Sequence, residues 1–210
     1  MAVPDEPDEL ALSPELVIRA YCAGAFPMAR QRDGGGGIDW FSPDPRALLP
    51  LDERFRVRRS LAKRVRQRPF RISRDAAFDR VIRACAEPRP GADQTWISQD
   101  IIAVYGELHE MGLAHSVEAF EGDDLVGGLY GVALGGAYFG ESMFSRRPDA
   151  SQICLVHLVK HLRSRGYHLL DVQFSNPHLE QFGVYEVPRE QYLRQLHEAL
   201  SAEVSWEGGG

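Results

Sequence analysis

Apolar residues recur along this 210-residue chain at helical spacing in some segments and in short dense or alternating runs in others. Segments with helical spacing follow Ser, Asp or Pro residues that favour helix starts, and several end at a glycine. On this basis we predict helices capped by Ser13, Ser60, Asp75 and Ser98, a long helix over Ala150–Arg165, and a last helix from Pro188 to about Leu200.

Runs rich in β-branched and aromatic residues lie between these helices and predict strands. The predicted strands are Phe70–Ser73, His115–Phe120, Leu125–Ala133, Ala137–Glu141 and Leu169–Gln173. Tight turns at Asp123-Asp124 and Gly135-Gly136 join the middle three as an antiparallel meander. We therefore expect an α+β fold, in which a mostly antiparallel sheet is flanked by helices.

Three stretches outside these elements are predicted to be loops. Residues 1–11 are acidic and contain proline, which predicts a loosely ordered lead-in. The glycine run Gly34–Gly37 predicts a flexible connector rather than a phosphate-binding loop. Two prolines in Ser42–Arg46 predict an ordered, extended loop that presents Trp40 and Phe41.

Composition places the chain among globular proteins, because 44% of its residues are hydrophobic and can bury a core as one domain or two small ones. No run approaches the roughly 18 apolar residues of a membrane span, and the acidic N-terminus is unlike a signal peptide. We therefore expect a cytoplasmic protein. Cys22, Cys85 and Cys154 lie in apolar helical patterns that predict buried thiols, and no spacing of Cys and His indicates a metal site.

Positive charge is concentrated in one segment of a chain whose net charge is −6. Ten Arg and Lys residues lie between Arg54 and Arg74 without an intervening acid, which favours a polyanionic partner over an ordinary solvated surface. Trp40 and Trp96 lie in loop contexts, where an indole can stack on a nucleobase or anchor the core. Together these features indicate RNA with an unpaired terminal base.

Asp171 and Gln173 are the first candidates for chemistry. They lie two apart on a predicted strand, so their side chains share one face. Asp171 can accept a hydrogen bond from the Gln173 amide NH2, which would leave the Gln173 carbonyl oxygen free to accept from an incoming amine. The alternative is a strand end whose polar side chains satisfy local backbone groups.

Glu141 is the next candidate, at the end of a predicted strand after Tyr138-Phe139-Gly140. A carboxylate beside aromatic surface can bind an amino group, and a structural role in the following turn is equally compatible with the residue alone. Ser142 and Ser145 lack the sequence context of a serine nucleophile, which argues against a serine hydrolase. The histidines are scattered and favour surface or core roles.

Several blocks of the sequence together resemble the leucyl/phenylalanyl-tRNA–protein transferases, which append Leu or Phe from aminoacyl-tRNA to proteins that begin with Lys or Arg. The resemblance spans about Leu12 to Leu196. The blocks that carry it are LSPELVIRAYCAGAFPM, WFSPDPRALLPL, AFDRVIRACAEPR, TWIS, LHEMGLAHSVEAF, LVGGLYGVALGGAYFGESMFSRRPDAS and DVQFSNPHL.

The resemblance implies a small N-terminal domain, residues 1–54, and a C-terminal domain with an acetyltransferase-like fold, residues 55–210. It further implies an aminoacyltransferase of Leu, Phe or possibly Met that marks proteins for degradation. Its partners would be aminoacyl-tRNA and proteins or peptides with N-terminal Lys or Arg, with no cofactor, metal or membrane, and it would act as a monomer.

The resemblance also assigns roles to individual side chains. Asp171, Gln173 and Glu141 would be catalytic, with Asp171 and Gln173 forming a relay that assists the acceptor amine. Trp40 and Trp96 would hold the terminal adenosine, Leu129, Tyr138 and Met143 would line the pocket for the transferred side chain, and Asn176 would lie near the acceptor. Arg59, Lys63, Arg64 and Arg66 would contact tRNA.

The chain departs from the family pattern at a few places. Val172 replaces the usual Cys, Gln152 replaces the usual Lys, Phe182-Gly183-Val184 replaces the usual Leu-Gly-Ala, and the usual GGD before LSP is missing. Two other hypotheses about the function stay open. An acyl-CoA-dependent N-acetyltransferase would need a glycine-rich turn, which Arg147–Gln152 lacks. A non-catalytic tRNA-binding module would leave GESMF and DVQ unexplained.

Overall fold

The computed structural model describes residues 12–30, 37–88 and 95–207. The predicted lead-in, residues 1–11, and the glycines 34–36 lie outside these ranges. The helices are α1 Pro14–Cys22, α2 Arg59–Gln67, α3 Phe78–Cys85, α4 Gln99–Glu110, α5 Ala150–Arg165, α6 Pro177–Glu180 and α7 Arg189–Leu200. The strands are β1 Phe26–Ala29, β2 Ile38–Phe41, β3 Arg46–Leu49, β4 Arg71–Arg74, β5 Ala114–Glu121, β6 Asp124–Leu134, β7 Ala137–Ser145, β8 Leu169–Gln173 and β9 Tyr185–Val187.

The strands form two sheets. β1 and β2 form a separate antiparallel hairpin, and the other seven strands lie in the order β4-β5-β6-β7-β8-β3-β9. Every neighbouring pair of the larger sheet is antiparallel except β7 and β8, which run parallel and are connected through α5. The expectation of a mostly antiparallel sheet flanked by helices is confirmed. The parallel pair and the strands β1, β2, β3 and β9 were not predicted.

Helix starts follow the predicted caps in two of four cases. The Ser13 and Ser98 hydroxyls accept hydrogen bonds from the amides of Leu16 and Ile101, as N-caps do. The caps predicted at Ser60 and Asp75 are wrong. Arg58 precedes α2 and no side chain caps it, whereas Asp75 turns away from α3 and accepts from the Ser116 amide and the Trp206 indole.

The two faces of the larger sheet bury separate apolar clusters. On β5, Phe120 belongs to the cluster packed against α3 and α4, and Val117 and Ala119 belong to the cluster packed against α5. This alternation follows from the two-residue period of a strand. Cys85 and Cys154 are buried in these clusters as expected, but Cys22 is exposed, so its predicted burial is wrong.

Two expectations concern the protein as a whole. Arg46–Leu49, which precedes the expected domain boundary after residue 54, is an inner strand of the larger sheet. The boundary itself stays a prediction. Among the helices that the structure describes, none combines the length and the apolar character needed to span a bilayer.

The parallel strands β7 and β8 separate along their length, and this separation creates a site. They pair only over Ala137–Phe139 and Leu169–Asp171. Beyond these residues, the rest of β7 and the end of β8 no longer hydrogen-bond to each other and line a cavity. α5, which connects the two strands, closes one side of it through Leu155 and Leu158.

Candidate active site

The cavity between β7 and β8 has a volume of about 720 Å³, which suits a small-molecule group. Among the predicted site residues, Leu129, Glu141, Met143, Gln173 and Asn176 line it. The structure therefore brings five separate predictions together. Asp171, Tyr138, Trp40, Trp96 and the four basic residues predicted to contact tRNA do not line this cavity.

Glu141 is directed into the site by a β-bulge. Gly131 of β6 pairs with Gly140 and Tyr130 pairs with Ser142, so Glu141 is the extra residue of β7. The strand continues to Ser145, so the prediction that it ends at Glu141 is wrong. A bulge re-aims the side chain that it carries, and here it places a carboxylate at the cavity wall.

Both oxygens of the Glu141 carboxylate accept hydrogen bonds. The amide nitrogen of Gln173 donates to Oε1 over 3.2 Å, and the Tyr105 hydroxyl donates to Oε2 over 3.3 Å. Burial raises the pKa of Glu141 to about 7, assisted by the charge of Asp171 and opposed by bonds to Tyr21 and Tyr105. A carboxylate with such a pKa can accept a proton near neutral pH.

Two buried tyrosines support Glu141 from behind. The hydroxyls of Tyr21 on α1 and Tyr105 on α4 lie 2.5 Å apart. Either hydroxyl can donate in this contact, which leaves the other proton of the pair for the Glu141 carboxylate in a short chain of hydrogen bonds. Burial raises the pKa of both tyrosines, so they stay neutral donors. The chain fixes the carboxylate through helices from two distant parts of the sequence.

Gln173 adopts an unusual backbone conformation at the end of β8. Its φ is +61°, and the amide of Phe174 donates to the carbonyl of Val172 over 2.7 Å across it, as in a γ-turn. A left-handed conformation is costly for a non-glycine residue and is typical of functional sites. Because the amide NH2 is bound to Glu141, the carbonyl oxygen of Gln173 is the end available to a substrate.

Asp171 is fully buried and its carboxylate is saturated with donors. Arg46 binds both oxygens through Nε and one terminal nitrogen, at 2.7–3.1 Å, and the Tyr192 hydroxyl donates over 2.7 Å. The Gln173 backbone amide also donates to it, over 2.9 Å. The hydrogen bond predicted from the Gln173 side-chain amide is therefore wrong, since Glu141 receives it. Asp171 positions Gln173 through the main chain.

Four further predicted residues differ in how they relate to the cavity. Leu129 and Met143 are cross-strand partners on β6 and β7 and line it side by side. Asn176 lies at its rim and uses its side-chain oxygen to cap α6 at Leu179. Tyr138 is fully buried, donates to the His115 carbonyl and stacks near Trp206. Its side chain is held in the core beneath α5.

The two loop tryptophans adjoin the same hairpin. Trp40 lies on β2 rather than in a loop, opposite Pro27, and is 39% exposed. The carbonyl of Trp96 accepts from the Ala29 amide of β1, and its side chain is partly buried against the core. Exposed Phe41 stacks on Phe26, so this hairpin presents an aromatic surface.

That aromatic surface reaches the end of β8. Phe174, which follows Gln173 and is 49% exposed, packs edge-on against Phe26 at 5.8 Å. Phe26 thereby connects the hairpin to the γ-turn that carries Gln173. The aromatic surface and the cavity are thus neighbours, although they derive from opposite ends of the sequence.

The basic segment is not as free of acids as its sequence indicates. Asp149, at the start of α5, binds Arg58 over 2.6 Å and lies 3.8 Å from Arg64, so Arg64 is partly neutralised. Arg59, Lys63 and Arg66 are exposed and form no ion pair with any residue that the structure describes. These three remain available to an anionic partner.

Arg46, Tyr192, Tyr21 and Tyr105 belong to the site, and the sequence reasoning missed them. Arg46 was read only as the end of a proline-rich loop. From the sequence, no chemical role was assigned to the three tyrosines. Burial of an arginine cannot be inferred without its partner, and Arg46 and Asp171 are 125 residues apart. No local pattern would have identified these contacts.

Comparisons with known proteins agree with the resemblance. The family model described as leucyl/phenylalanyl-tRNA protein transferase matches residues 48–197, and the model of that family's N-terminal domain matches residues 11–44. A relative from Herpetosiphon aurantiacus with the same description is 50% identical over 93% of this chain and 98% of its own. A relative from Rubrobacter xylanophilus, also with this description, is 52% identical over 91% of this chain and 96% of its own.

A solved structure provides a more distant comparison. The C-terminal domain of an Agrobacterium fabrum protein, named after lysylphosphatidylglycerol synthetase, aligns with a TM-score of 0.40 and 12% identity, over 88% of this chain and 62% of that chain. A TM-score this low does not show a shared fold. The acetyltransferase-like fold therefore stays a prediction.

Proposed function

The chain belongs to the leucyl/phenylalanyl-tRNA–protein transferase family, and we propose that it moves Leu or Phe from aminoacyl-tRNA to the free α-amino group of a protein. The acceptors that the family resemblance implies begin with Lys or Arg, and the transfer marks them for degradation. Met as a third donor residue belongs to the same proposal, as do a cytoplasmic location and a monomeric state.

The hydrogen bond between Glu141 and Gln173 is the observation that carries the proposal. It places a carboxylate that titrates near neutral pH beside an amide oxygen that can accept a hydrogen bond from an amine. An α-amino group has a pKa of about 7.7–8.0, so a useful fraction is already neutral at physiological pH. The site therefore needs to orient the amine and remove one proton.

The transfer then follows from this arrangement. The Gln173 carbonyl oxygen accepts one N–H of the acceptor amine and directs its lone pair at the ester carbonyl carbon. A C–N bond forms, and Glu141 takes the proton that the nitrogen loses. The bond from the ester carbonyl carbon to the ribose oxygen then breaks, and Glu141 returns the proton to that oxygen, which leaves as a hydroxyl. Because the ester is already activated, positioning supplies most of the rate.

The apolar wall of the cavity supports selection of Leu and Phe. Leu129 and Met143 lie on one side, and Leu155, Leu158 and Leu170 line the same space. A pocket of this kind favours a flexible or planar apolar side chain and discriminates against a misplaced methyl group by about 1–3 kcal/mol. Since methionine is also unbranched at Cβ, it would enter with a smaller penalty.

Aromatic and basic surfaces support a role for RNA. The hairpin carrying Trp40, together with Trp96, offers aromatic faces for the terminal adenosine, and a stacked base contributes about 1–3 kcal/mol. Arg59, Lys63 and Arg66 on α2 are exposed cations for the phosphate backbone. Arg64 would contribute less, because Asp149 lies beside it.

A transfer assay tests the proposal. Purified protein is mixed with radiolabelled leucyl-tRNA and peptides that differ only at the first residue, Lys, Arg or Ala, or that carry an acetylated N-terminal Lys. We expect label in the Lys and Arg peptides and none in the acetylated peptide. Equal labelling of the Ala peptide would reject the acceptor range, and no labelling of any peptide would reject the transferase assignment.

The same peptides offered with acetyl-CoA test the acetyltransferase alternative. Arg147–Gln152, before and at the start of α5, contains no glycine that would let backbone amides approach a pyrophosphate. We therefore expect no acetylation. Acetylation without transfer from leucyl-tRNA would replace the proposal.

A further inference from the structure

The segment that follows α7, residues 201–207, packs back against α5, and we call it the strap. Arg165 of α5 donates to the main-chain carbonyls of Ser205 and Glu207, over 3.1 and 2.9 Å. The ring nitrogen Nε2 of His161, also on α5, lies 3.0 Å from the carbonyl between them. Three successive carbonyls of the strap are therefore held by one helix.

The side chain of Trp206 enters the core from the strap. It is 6% exposed, and its indole N–H donates to Asp75 over 2.7 Å. Its ring stacks on the imidazole of His115 at 4.3 Å and lies 5.6 Å from the ring of Tyr138, at an angle of 21°. The Tyr138 hydroxyl donates to the His115 carbonyl over 3.1 Å, which connects the two neighbours of the indole. Trp206 thus has both a packed ring and a partner for its N–H, so its position is fixed.

Asp75, which accepts from the indole, is itself held in place. Its carboxylate also accepts from the Ser116 amide over 2.8 Å and contacts Nδ1 of His115 at 3.0 Å. Burial raises the pKa of Asp75, but the bonds from His115, Ser116 and Trp206 outweigh burial, so the pKa is lowered overall. Its φ of +55° is unusual for a non-glycine residue and persists only where the surrounding structure enforces it. The anchor of Trp206 is therefore rigid.

Tyr138 lies against the β-bulge that carries Glu141. It is fully buried, and its ring lies across Gly131 of β6, since a Cβ on Gly131 would come within 2.5 Å of that ring. Gly131 pairs with Gly140, and Glu141 is the extra residue that follows. A pair of glycines contributes no side chain to packing. The ring of Tyr138 fills the space that this pair leaves open.

The bulge is supported from both faces of the sheet. On one face, Tyr105 donates to the Glu141 carboxylate and belongs to the cluster packed against α3 and α4. On the opposite face, Tyr138 and Trp206 belong to the cluster packed against α5. The backbone of a bulge aims the side chain that it carries, so loss of packing beneath it would let that side chain move. Support from the second face depends on a residue of the strap.

We propose that Trp206 is a positioning residue for the transfer. Through the ring of Tyr138, it holds the β-bulge in the conformation that aims Glu141 into the cavity. It acts on the backbone of β7 rather than on a substrate. The proposal rests on the proposed function for the reaction that it supports, whereas the placement of Glu141 can be measured without that reaction.

The ionisation of Glu141 reports its placement without catalysis. In protein labelled with 13C-glutamate, the carboxyl resonance that is missing from Glu141→Gln identifies this residue. We expect it to titrate with a pKa of about 7 in wild type, because burial is the main cause of the raised pKa. Trp206→Ala removes the support, so the carboxylate moves toward solvent and its pKa should fall by about 1 or more. The charged and titratable groups that act on Glu141 are unchanged in this variant: Tyr21, Tyr105, Asp171 and Arg46.

Further variants separate this role from general stability. Trp206→Phe keeps an aromatic ring against Tyr138 but loses the bond to Asp75, and the pKa of Glu141 should stay close to the wild-type value. Phe120→Ala removes a buried aromatic ring beside the turn from β5 to β6, away from the bulge. It should lower the melting temperature, as Trp206→Ala does, and leave the pKa of Glu141 unchanged. Should Trp206→Ala not fold, Trp206→Leu keeps apolar volume without a planar ring and carries the same expectation.

Transfer rates test the consequence for the reaction. A misplacement of about 1 Å can cost on the order of a hundredfold, so kcat of Trp206→Ala should fall by about tenfold or more. KM for leucyl-tRNA should stay within about twofold, because the residues that bind the donor are unchanged. Trp206→Phe should regain most of kcat, and Phe120→Ala should keep it. All rates are compared at a temperature where circular dichroism shows each variant to be folded.

Three results would overturn the role of Trp206. A wild-type pKa of Glu141 in Trp206→Ala, or the same pKa change in Phe120→Ala, would make Trp206 an ordinary core residue. A Trp206→Phe variant as impaired as Trp206→Ala would assign the effect to the bond with Asp75 instead of the stacked ring. If wild type transferred nothing from leucyl-tRNA, the proposed function would fail, and the titration of Glu141 would still judge Trp206.

Discussion

Glu141 and Gln173 are within hydrogen-bonding distance of each other, although 32 residues separate them in sequence. The sequence placed both on strands and marked both as candidates for chemistry. It could not supply their contact, because Glu141 reaches Gln173 through a bulge and Gln173 lies in a left-handed turn. From their closeness in sequence, the Gln173 side chain was also predicted to donate to the Asp171 carboxylate. In the structure, the buried Arg46 donates to that carboxylate instead.

Asp171 and Gln173 should therefore respond differently to mutation. Asp171→Ala leaves Arg46 buried and unpaired and should cost about 3–5 kcal/mol of unfolding free energy, with any loss of transfer following the loss of fold. Gln173→Ala should abolish most transfer and cost far less stability. Urea unfolding and initial rates measure both effects. A stable Asp171→Ala variant without activity would instead favour direct participation of Asp171.

At the scale of elements, hydrophobic periodicity predicts the ends of a helix or strand correctly where that element carries its own continuous apolar pattern. The ends of α5 and β8 agree with the predicted ones, because each has a continuous apolar stripe or run and α5 ends at Gly166. β3 and β9 are short and become strands only by pairing, β3 with β8 and β9 with β3. The separation of β7 from β8 depends on this sheet order, so the cavity could not be predicted locally.

The packing of α5 on β6 offers a test of the cavity wall. A Cβ on Gly127 would lie 2.5 Å from the Cβ of Ala150, in the first turn of α5. Gly127→Ala should therefore displace α5, destabilise the fold by about 1–3 kcal/mol and reduce transfer. Gly106→Ala in α4 meets open space and should stabilise by about 0.5–1 kcal/mol without affecting transfer. Urea unfolding and transfer rates are measured for both variants. Equal stability of Gly127→Ala and Gly106→Ala would contradict the tight contact between Gly127 and Ala150.

At the scale of the molecule, one buried arginine joins the parts that build the site. Arg46 on β3 binds Asp171 on β8, donates to the Gly24 carbonyl after α1, and lies over the rings of Phe26 and Tyr192. The hairpin, the large sheet and α7 therefore meet at one ion pair. This explains why residues from both ends of the chain form a single site.

The raised pKa of Glu141 makes the stability of this assembly depend on pH. Its folded pKa of about 7 lies above the ordinary value of 4.5, so its contribution to stability is present below pH 4.5 and is lost as the pH rises through 7. Glu141→Gln removes that unfavourable charge. The variant should therefore unfold at a higher temperature than wild type at pH 8, which makes it a folded control for kinetics.

The pH dependence of kcat/KM for leucyl transfer to a Lys-initiated peptide tests the central claim most directly, which is that Glu141 accepts the proton of the attacking amine. In wild type, both the amine and Glu141 must be deprotonated, so the slope of log kcat/KM against pH below about 6.5 should exceed that of Glu141→Gln by one. The variant should also be slower near pH 7.5. Equal slopes in the two proteins would contradict the account.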